Sequence, residues 1–333
     1  MLRRLVLTCA LLWSAVANFS LFTLHSSLLS PLGAQTLTLV ELNCENLFDS
    51  RHDSLKQDME FTPDGSRHWT ASRYWRKVNA IGQEILSCAD SIPDLVALVE
   101  VENDSVLHAL TRRSLLRHAG YQYLMTCSPD VRGLDVALLY RPQSFQPVFH
   151  EMITVPCAEG QRPTRDILYI RGVTVGFDTL HLFVVHAPSR YGGTNLTSPR
   201  RLQVATLITD YISHLDPQAH VIVTGDFNDY ADSPSLRHLC QHGFTNITAD
   251  ACGGNGARGT YRFHGEWRSI DHVLVTPSLA DCVDSVYIND AAFLLEDDEK
   301  YGGKHPRRTF QNYRYQSRGF SDHLPLVVRW KMR

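Results

Sequence analysis

Along this chain, hydrophobic positions alternate, run together or recur at helical spacing, and each pattern predicts an element. Residues 36–42 alternate with period two, as a half-buried strand does. Trp75, Val78, Ile81 and Ile85 share one face of a helix expected over 70–88, with Thr70 as its capping residue. Residues 94–101 are almost continuously apolar, which marks a strand buried on both faces. A second helix is expected over 104–117, followed by strands near 121–126, 134–140, 166–175 and 178–186. A helix over 198–214 precedes a buried strand at Val221-Ile222-Val223. Later strands are expected near 258–263, 270–276 and 324–331, and residues 296–319 read as the one long irregular segment. Many strands with a few interspersed helices imply two packed sheets with helices outside, in one domain.

Residues 1–35 follow a different pattern. Arg3 and Arg4 precede an apolar run over 5–16, and Ala15-Val16-Ala17 is a small-x-small cleavage site. A second possible site lies near Gln35, and no acid occurs before Glu41. This is the pattern of a secretory signal, so the mature chain, 36–333, is expected to be secreted or periplasmic. The alternative is an uncleaved anchor over 5–32, which Asn18, Ser20, His25, Ser26, Ser27 and Ser30 dilute. After signal removal no stable membrane partner is expected, and the mature chain is expected to be a monomer.

Composition narrows the function classes. With 333 residues, 44% hydrophobic and 20% charged, the chain is neither disordered nor a disulfide-held miniature. Its net charge of −3 becomes −5 without the two arginines of 1–35, which argues against a general nucleic-acid coat. Seven cysteines remain: Cys44, Cys88, Cys127, Cys157, Cys240, Cys252 and Cys282. Scattered and without a CxxC, they make neither a disulfide framework nor a zinc site. Buried free thiols are expected, with one Cys240–Cys252 bridge as the open alternative.

Candidate chemistry gathers at strand ends. Asn43 with Glu45 and Asn46, Glu100 with Glu102 and Asn103, His186, and Asp226 with Asn228 and Asp229 each follow a hydrophobic strand. Ser321-Asp322-His323 precedes one, and Asp271 opens one. An acid at a strand end is usually a solvated turn residue, and Gly225-Asp226-Phe227-Asn228 alone could be an ordinary turn. Together, however, these clusters supply carboxylates for a hard metal ion, two candidate bases and several amides. Packed strands would bring them to one edge of the fold as a pocket.

In order and spacing, these motifs resemble the endonuclease/exonuclease/phosphatase superfamily over residues 38–331. That metal-dependent fold is shared by pancreatic-type deoxyribonuclease, exonuclease III-type repair nucleases, inositol polyphosphate 5-phosphatases and bacterial sphingomyelinases. The Gly-Asp-x-Asn and Ser-Asp-His pair is the most specific part of the match. The resemblance implies a four-layer α/β sandwich of two packed, mostly antiparallel sheets flanked by helices. It also implies hydrolysis of a phosphate ester. Glu100 is the first candidate for a direct Mg²⁺ ligand (Mn²⁺ being the other ion), with Asn43 and Asp322 as further metal candidates. His323 is placed as general base, with Asp271 as its orienting partner by resemblance. Asp226 and Asn228 would sit across the phosphate, and His186 takes the family position that contacts it. Glu102 reads as a structural acid.

Substrate is read from the basic rim. Residues 300–333 hold nine Lys and Arg against one acid, with Tyr301, Phe310, Tyr313, Tyr315 and Phe320 interleaved. This favours phosphate-backbone contacts with base stacking, and Arg190, Arg308 and Arg318 are the candidate substrate contacts. Arg200 and Arg201 extend the same rim. The expected partner is therefore a phosphate ester, first of all a nucleic acid. A phosphatase, a sphingomyelinase-like phosphodiesterase and an inactive binding module remain as alternatives on the same fold.

Overall fold

The computed structural model describes residues 36–174, 177–311 and 313–331. The expected signal segment lies outside the described residues.

Two six-stranded sheets form the centre. The first holds β1 (Thr36–Leu47), β2 (Leu95–Val101), β3 (Gln122–Met125), β4 (Asp135–Tyr140), β13 (Val283–Ile288) and β18 (Leu326–Lys331). Its order is β13-β18-β1-β2-β4-β3, and β1–β2 is its parallel pair. The second holds β5 (Phe145–Ile153), β6 (Ile167–Thr174), β7 (Phe177–His186), β8 (His220–Asp226), β9 (Thr245–Asn246) and β12 (Asp271–Val275). Its order is β5-β6-β7-β8-β12-β9, with β7–β8 parallel. Outside the sheets lie three short hairpins: β10 (Tyr261–Phe263) with β11 (Glu266–Arg268), β14 (Leu295–Asp297) with β15 (Lys304–Pro306), and β16 (Phe310–Gln311) with β17 (Arg314–Tyr315). The helices are α1 (Ala71–Leu86), α2 (Asp104–Arg112), α3 (Thr194–Ile212), α4 (Pro234–Gln241) and α5 (Pro277–Ala280).

Strand parity explains the layering. Leu37, Leu39, Leu95, Ala97 and Val99 meet Leu180, Leu182, Val184, Ile222 and Val273 in a core between the sheets. The opposite face of the first sheet, with Val40, Leu42, Val96 and Leu98, packs on Val78, Ile81 and Ile85 of α1 and Leu107 of α2. The outer face of the second, with Tyr169, Phe183 and Val223, packs on Val204 and Ile208 of α3 and Leu236 of α4. This is the expected four-layer α/β sandwich of mostly antiparallel sheets.

Element ends differ from expectation where side chains override pattern. Thr70 caps α1 as expected, its Oγ1 accepting from Arg73 N at 3.4 Å. Thr70→Ala should cost about 1 kcal/mol, read as a lower denaturant midpoint at unchanged slope. The helix expected over 104–117 stops at Arg112, because Ser114 Oγ caps a separate 3₁₀ turn through Leu116 N at 3.0 Å. The helix expected from 198 begins at Thr194, before Pro199. Strands β5 and β13 are additions at sheet edges; β5 carries Pro147 at an irregular register, a residue that edge strands tolerate. The stretch 296–319 is not irregular, since it contributes strands to both hairpins β14–β15 and β16–β17. All seven cysteines are free, and only Cys44 and Cys88 are buried, so neither the Cys240–Cys252 bridge nor a wholly buried set is found.

Candidate active site

The inter-sheet face of each central strand ends in a polar residue. On β1, Leu37 and Leu39 lead to Asn43; on β7, Leu182 and Val184 lead to His186; on β8, Ile222 leads to Asp226; on β12, Val275 and Val273 lead to Asp271. The period of two therefore aims four of the expected residues into the gap between the sheets. Glu100 arrives differently. It has φ 63°, at a register break between Val99 and Val101 on β2. Glu45 (φ 48°), Asn46 (φ 56°) and Asn228 (φ 50°) are also left-handed. Such conformations cost a non-glycine residue about 1–3 kcal/mol and cluster where a site needs them.

Asn43 shows why this turn forms. Its Oδ1 accepts from Glu45 N at 2.8 Å, closing an Asx turn, and its Nδ2 donates to Asp226 Oδ2 at 3.1 Å. The amide thus steadies Asp226 and the turn, and its oxygen is engaged by Glu45 N. Glu100 Oε2 accepts from Asn46 N at 2.8 Å, and Oε1 lies 3.8 Å from His186 Nε2. Asp226 Oδ2 lies 3.8 Å from the same nitrogen. Asp226 Oδ1 accepts from Asn228 N at 2.7 Å, while Asn228 Nδ2 donates to Ala187 O at 3.1 Å.

The second half of the site is the His323–Asp271 pair. His323 Nδ1 and Asp271 Oδ2 are 2.8 Å apart, and Thr260 Oγ1 also donates to Asp271 Oδ2. Ser321 Oγ donates to the Asn43 carbonyl at 2.6 Å and accepts from His323 N at 3.1 Å, which ties the Ser-Asp-His turn to β1. Ligand atoms of Asp226, Asp271 and His323 lie within 4.8 Å of one another. Two of those three are already engaged with each other. Glu100 and Asp226, each with an oxygen 3.8 Å from His186 Nε2, are the carboxylates that suit a hard divalent ion.

Burial sets the electrostatics. It raises the Asp226 carboxyl to about 7, with Asp271 adding to the effect and His323 opposing it. At His323 burial disfavours the imidazolium, but Asp271, Asp322 and Asp226 outweigh it, and the pKa stands well above the ordinary value. His186 goes the other way: burial, then Arg165, Arg132 and His323, keep its ring neutral. It can donate an N–H but not the charge of an imidazolium.

The outer residues divide. Asp322 is half-buried outside the three-residue cluster, with Arg308 and Tyr261 as charged and polar neighbours. Burial disfavours the Arg308 charge, yet Asp322, Tyr261 and Glu45 hold its pKa up. Arg190 stacks on Tyr230, its guanidinium carbon 4.2 Å from the ring centre. Arg318 lies instead in a groove of about 640 Å³ with Trp75, Arg76, Phe293 and Arg307. Arg201 is not on the rim at all; it is buried and paired with Asp229 at 2.7 Å. Glu102 accepts from Asp49 N at 2.6 Å, as a structural acid does. No motif pointed to Glu41, whose charged neighbours are Asp271, Asp226 and His323. It is fully buried on β1, and both its oxygens lack a partner.

The family model for the Endonuclease/Exonuclease/phosphatase family matches residues 38–332. The chain belongs to this family. Members are metal-dependent phosphoester hydrolases, and the carboxylates at the gap fit that chemistry. Among solved structures, a Bacteroides thetaiotaomicron mannosyl-6-phosphatase is similar at 18% identity and TM-score 0.60, covering 88% of this chain and 98% of its own. Humanized D. rerio TDP2 follows at 15% and 0.57, covering 89% and 98%. The human nocturnin catalytic domain with bound sulfate is similar at 16% and 0.53, covering 90% and 94%. These likenesses show the fold. No curated protein matches the chain.

Proposed function

We infer that this hydrolase is an exported phosphodiesterase that uses Mg²⁺, with Mn²⁺ as substitute, and cleaves nucleic acid. The observation that carries the reading is the buried His323–Asp271 pair, 2.8 Å apart, with Asp226 beside it and Glu100 and His186 next to Asp226. Glu100 would hold the ion, with Asp226 near it and the Asn43 amide steadying Asp226. The ion supplies positive charge to a phosphate that an acidic chain would otherwise repel.

This chain's own side chains do the rest. His323 Nε2 takes the proton of the attacking water while Asp271 keeps the other nitrogen protonated and aimed. Asp226, fixed by Asn43 Nδ2 and Asn228 N, would act on the departing oxygen. The neutral N–H of His186 and the free amide hydrogen of Asn228 face the phosphate oxygens. Arg308 and Arg190 lie on the approach, where rim charge aids capture more than chemistry. Export rests on the signal pattern of residues 1–35. Among the described residues no helix is long and apolar enough to cross a membrane.

One panel tests the reading. The mature chain is given single-stranded DNA, RNA, sphingomyelin and a sugar phosphate, each with Mg²⁺ and with chelator. Metal-dependent cleavage of the nucleic acids is expected. Turnover of only the lipid or only the sugar phosphate would replace the substrate, and chelator-resistant cleavage would remove the metal.

A further inference from the structure

The aromatic surface at this site takes Tyr301, but not Phe310, Tyr315 or Phe320, from the basic C-terminal segment. Phe310 and Tyr315 of that segment pack around Trp69, and Phe320 packs on Phe293. A different row of rings starts at the general base. Tyr261 pairs with His323 in an isolated bridge, and their ring centres are 4.9 Å apart. Tyr261 and Phe263 lie near-parallel, 6.5 Å apart with 15° between planes. His264 stacks on Phe263 at 4.0 Å, and Tyr301 follows His264 at 5.9 Å. The row ends at Lys300, whose Nζ is 4.7 Å from the Tyr301 ring centre.

This row is open and rigidly backed. Phe263 is 56% and Tyr301 44% exposed, a cost in water that a merely structural hairpin avoids. Behind it, the buried Arg262 clamps the two hairpins together. Its guanidinium donates to Gly265 O at 3.1 Å, Asp298 Oδ2 at 2.9 Å, Lys304 O at 2.9 Å and Gly302 O at 2.6 Å. Gly265, at φ 85°, lets the second hairpin close in; a Cβ there would stand 2.8 Å from Tyr301 Cβ.

We propose that Tyr261, Phe263, His264 and Tyr301 form a stacking platform for the nucleobases flanking the scissile phosphate of a single-stranded nucleic acid. Rings in series accept successive planar groups whatever their sequence, and a terminal cation matches the next phosphate. A duplex keeps its bases stacked on each other and cannot use the platform. The inference rests on the phosphodiesterase reading for what happens to the bound strand, but not for binding itself.

The test uses an oligothymidylate and an abasic phosphodiester of equal length and charge. In EDTA, fluorescence anisotropy should show the protein binding the oligothymidylate about 10- to 100-fold more tightly than the abasic oligomer. Phe263→Ala with Tyr301→Ala should bring that ratio to within about twofold of one. A ratio near one in the unmodified protein, or a ratio that survives both substitutions, overturns the platform. So does a loss confined to binding of phosphatidylcholine vesicles, which would make the rings a lipid contact. If Mg²⁺ leaves both oligomers intact while the ratio holds, the catalytic reading fails and the platform stands.

Discussion

His323→Ala is expected to lower kcat on a phosphodiester by roughly 10³–10⁴-fold, with KM little changed. The imidazole is the buried base that Asp271 orients, and it meets the substrate only as the water is deprotonated. Asp271→Asn should approach the same loss through the wrong tautomer, and it adds a readout in pH. Burial works against the His323 charge, but Asp271 is the foremost of the carboxylates that hold its pKa well above the ordinary value. A base must be unprotonated, so activity rises with pH, and the acid limb lies above that of an ordinary histidine. Removing Asp271 lets that pKa fall, and the limb moves to lower pH. A limb that stays in place in Asp271→Asn would mean that some other group titrates. Phosphodiesterase activity that survives His323→Ala would reject the mechanism outright.

Glu84→Gln is expected to stabilise the protein at pH 8 and leave it unchanged near pH 4. Glu84 is wholly buried on α1, and both its oxygens lack partners. Burial is the main cause that raises its carboxyl to about 8; Lys77 opposes and Glu45 adds. An unfolded chain releases this proton near the ordinary carboxylate value, whereas the folded chain keeps it until about pH 8. Between those limits the folded state binds more protons, so stability falls as pH rises. The difference amounts to a few kcal/mol, on the order of the total stability of a marginal domain. Glutamine has no proton to lose. Denaturant melts at pH 4, 6 and 8 should show the two proteins diverging steadily, and parallel curves would refute the assignment.

Much of the fold and half of the site could be read before any coordinates. The alternation along residues 36–42 and the apolar runs at 94–101 and 221–223 describe central strands whose neighbours are all sheet. The same parity carries Asn43, His186, Asp226 and Asp271 to one gap, because a strand interior allows no other direction. Edge strands β5 and β13 were hidden because solvent covers part of each, so neither alternates cleanly. Glu100 escaped the parity argument because its left-handed backbone inverts the direction of the side chain. The orientation of Asn43 depended on a hydrogen bond to a backbone two residues on, which composition does not show. Phe310 and Tyr315 misled for a tertiary reason. An aromatic beside arginines looks like a surface in sequence, yet Phe310 and Tyr315 seal the layer over Trp69. Their exposure was decided by residues more than two hundred positions away.

The place of β18 in the first sheet bears on how the chain is made. It lies between β13 and β1, so the first of the described strands waits with one edge open for the last of them. Pairings this distant along the chain form slowly. His323 emerges from the ribosome just ahead of the strand that closes the sheet. A chain that stops before residue 323 therefore lacks the base and the completed first sheet together.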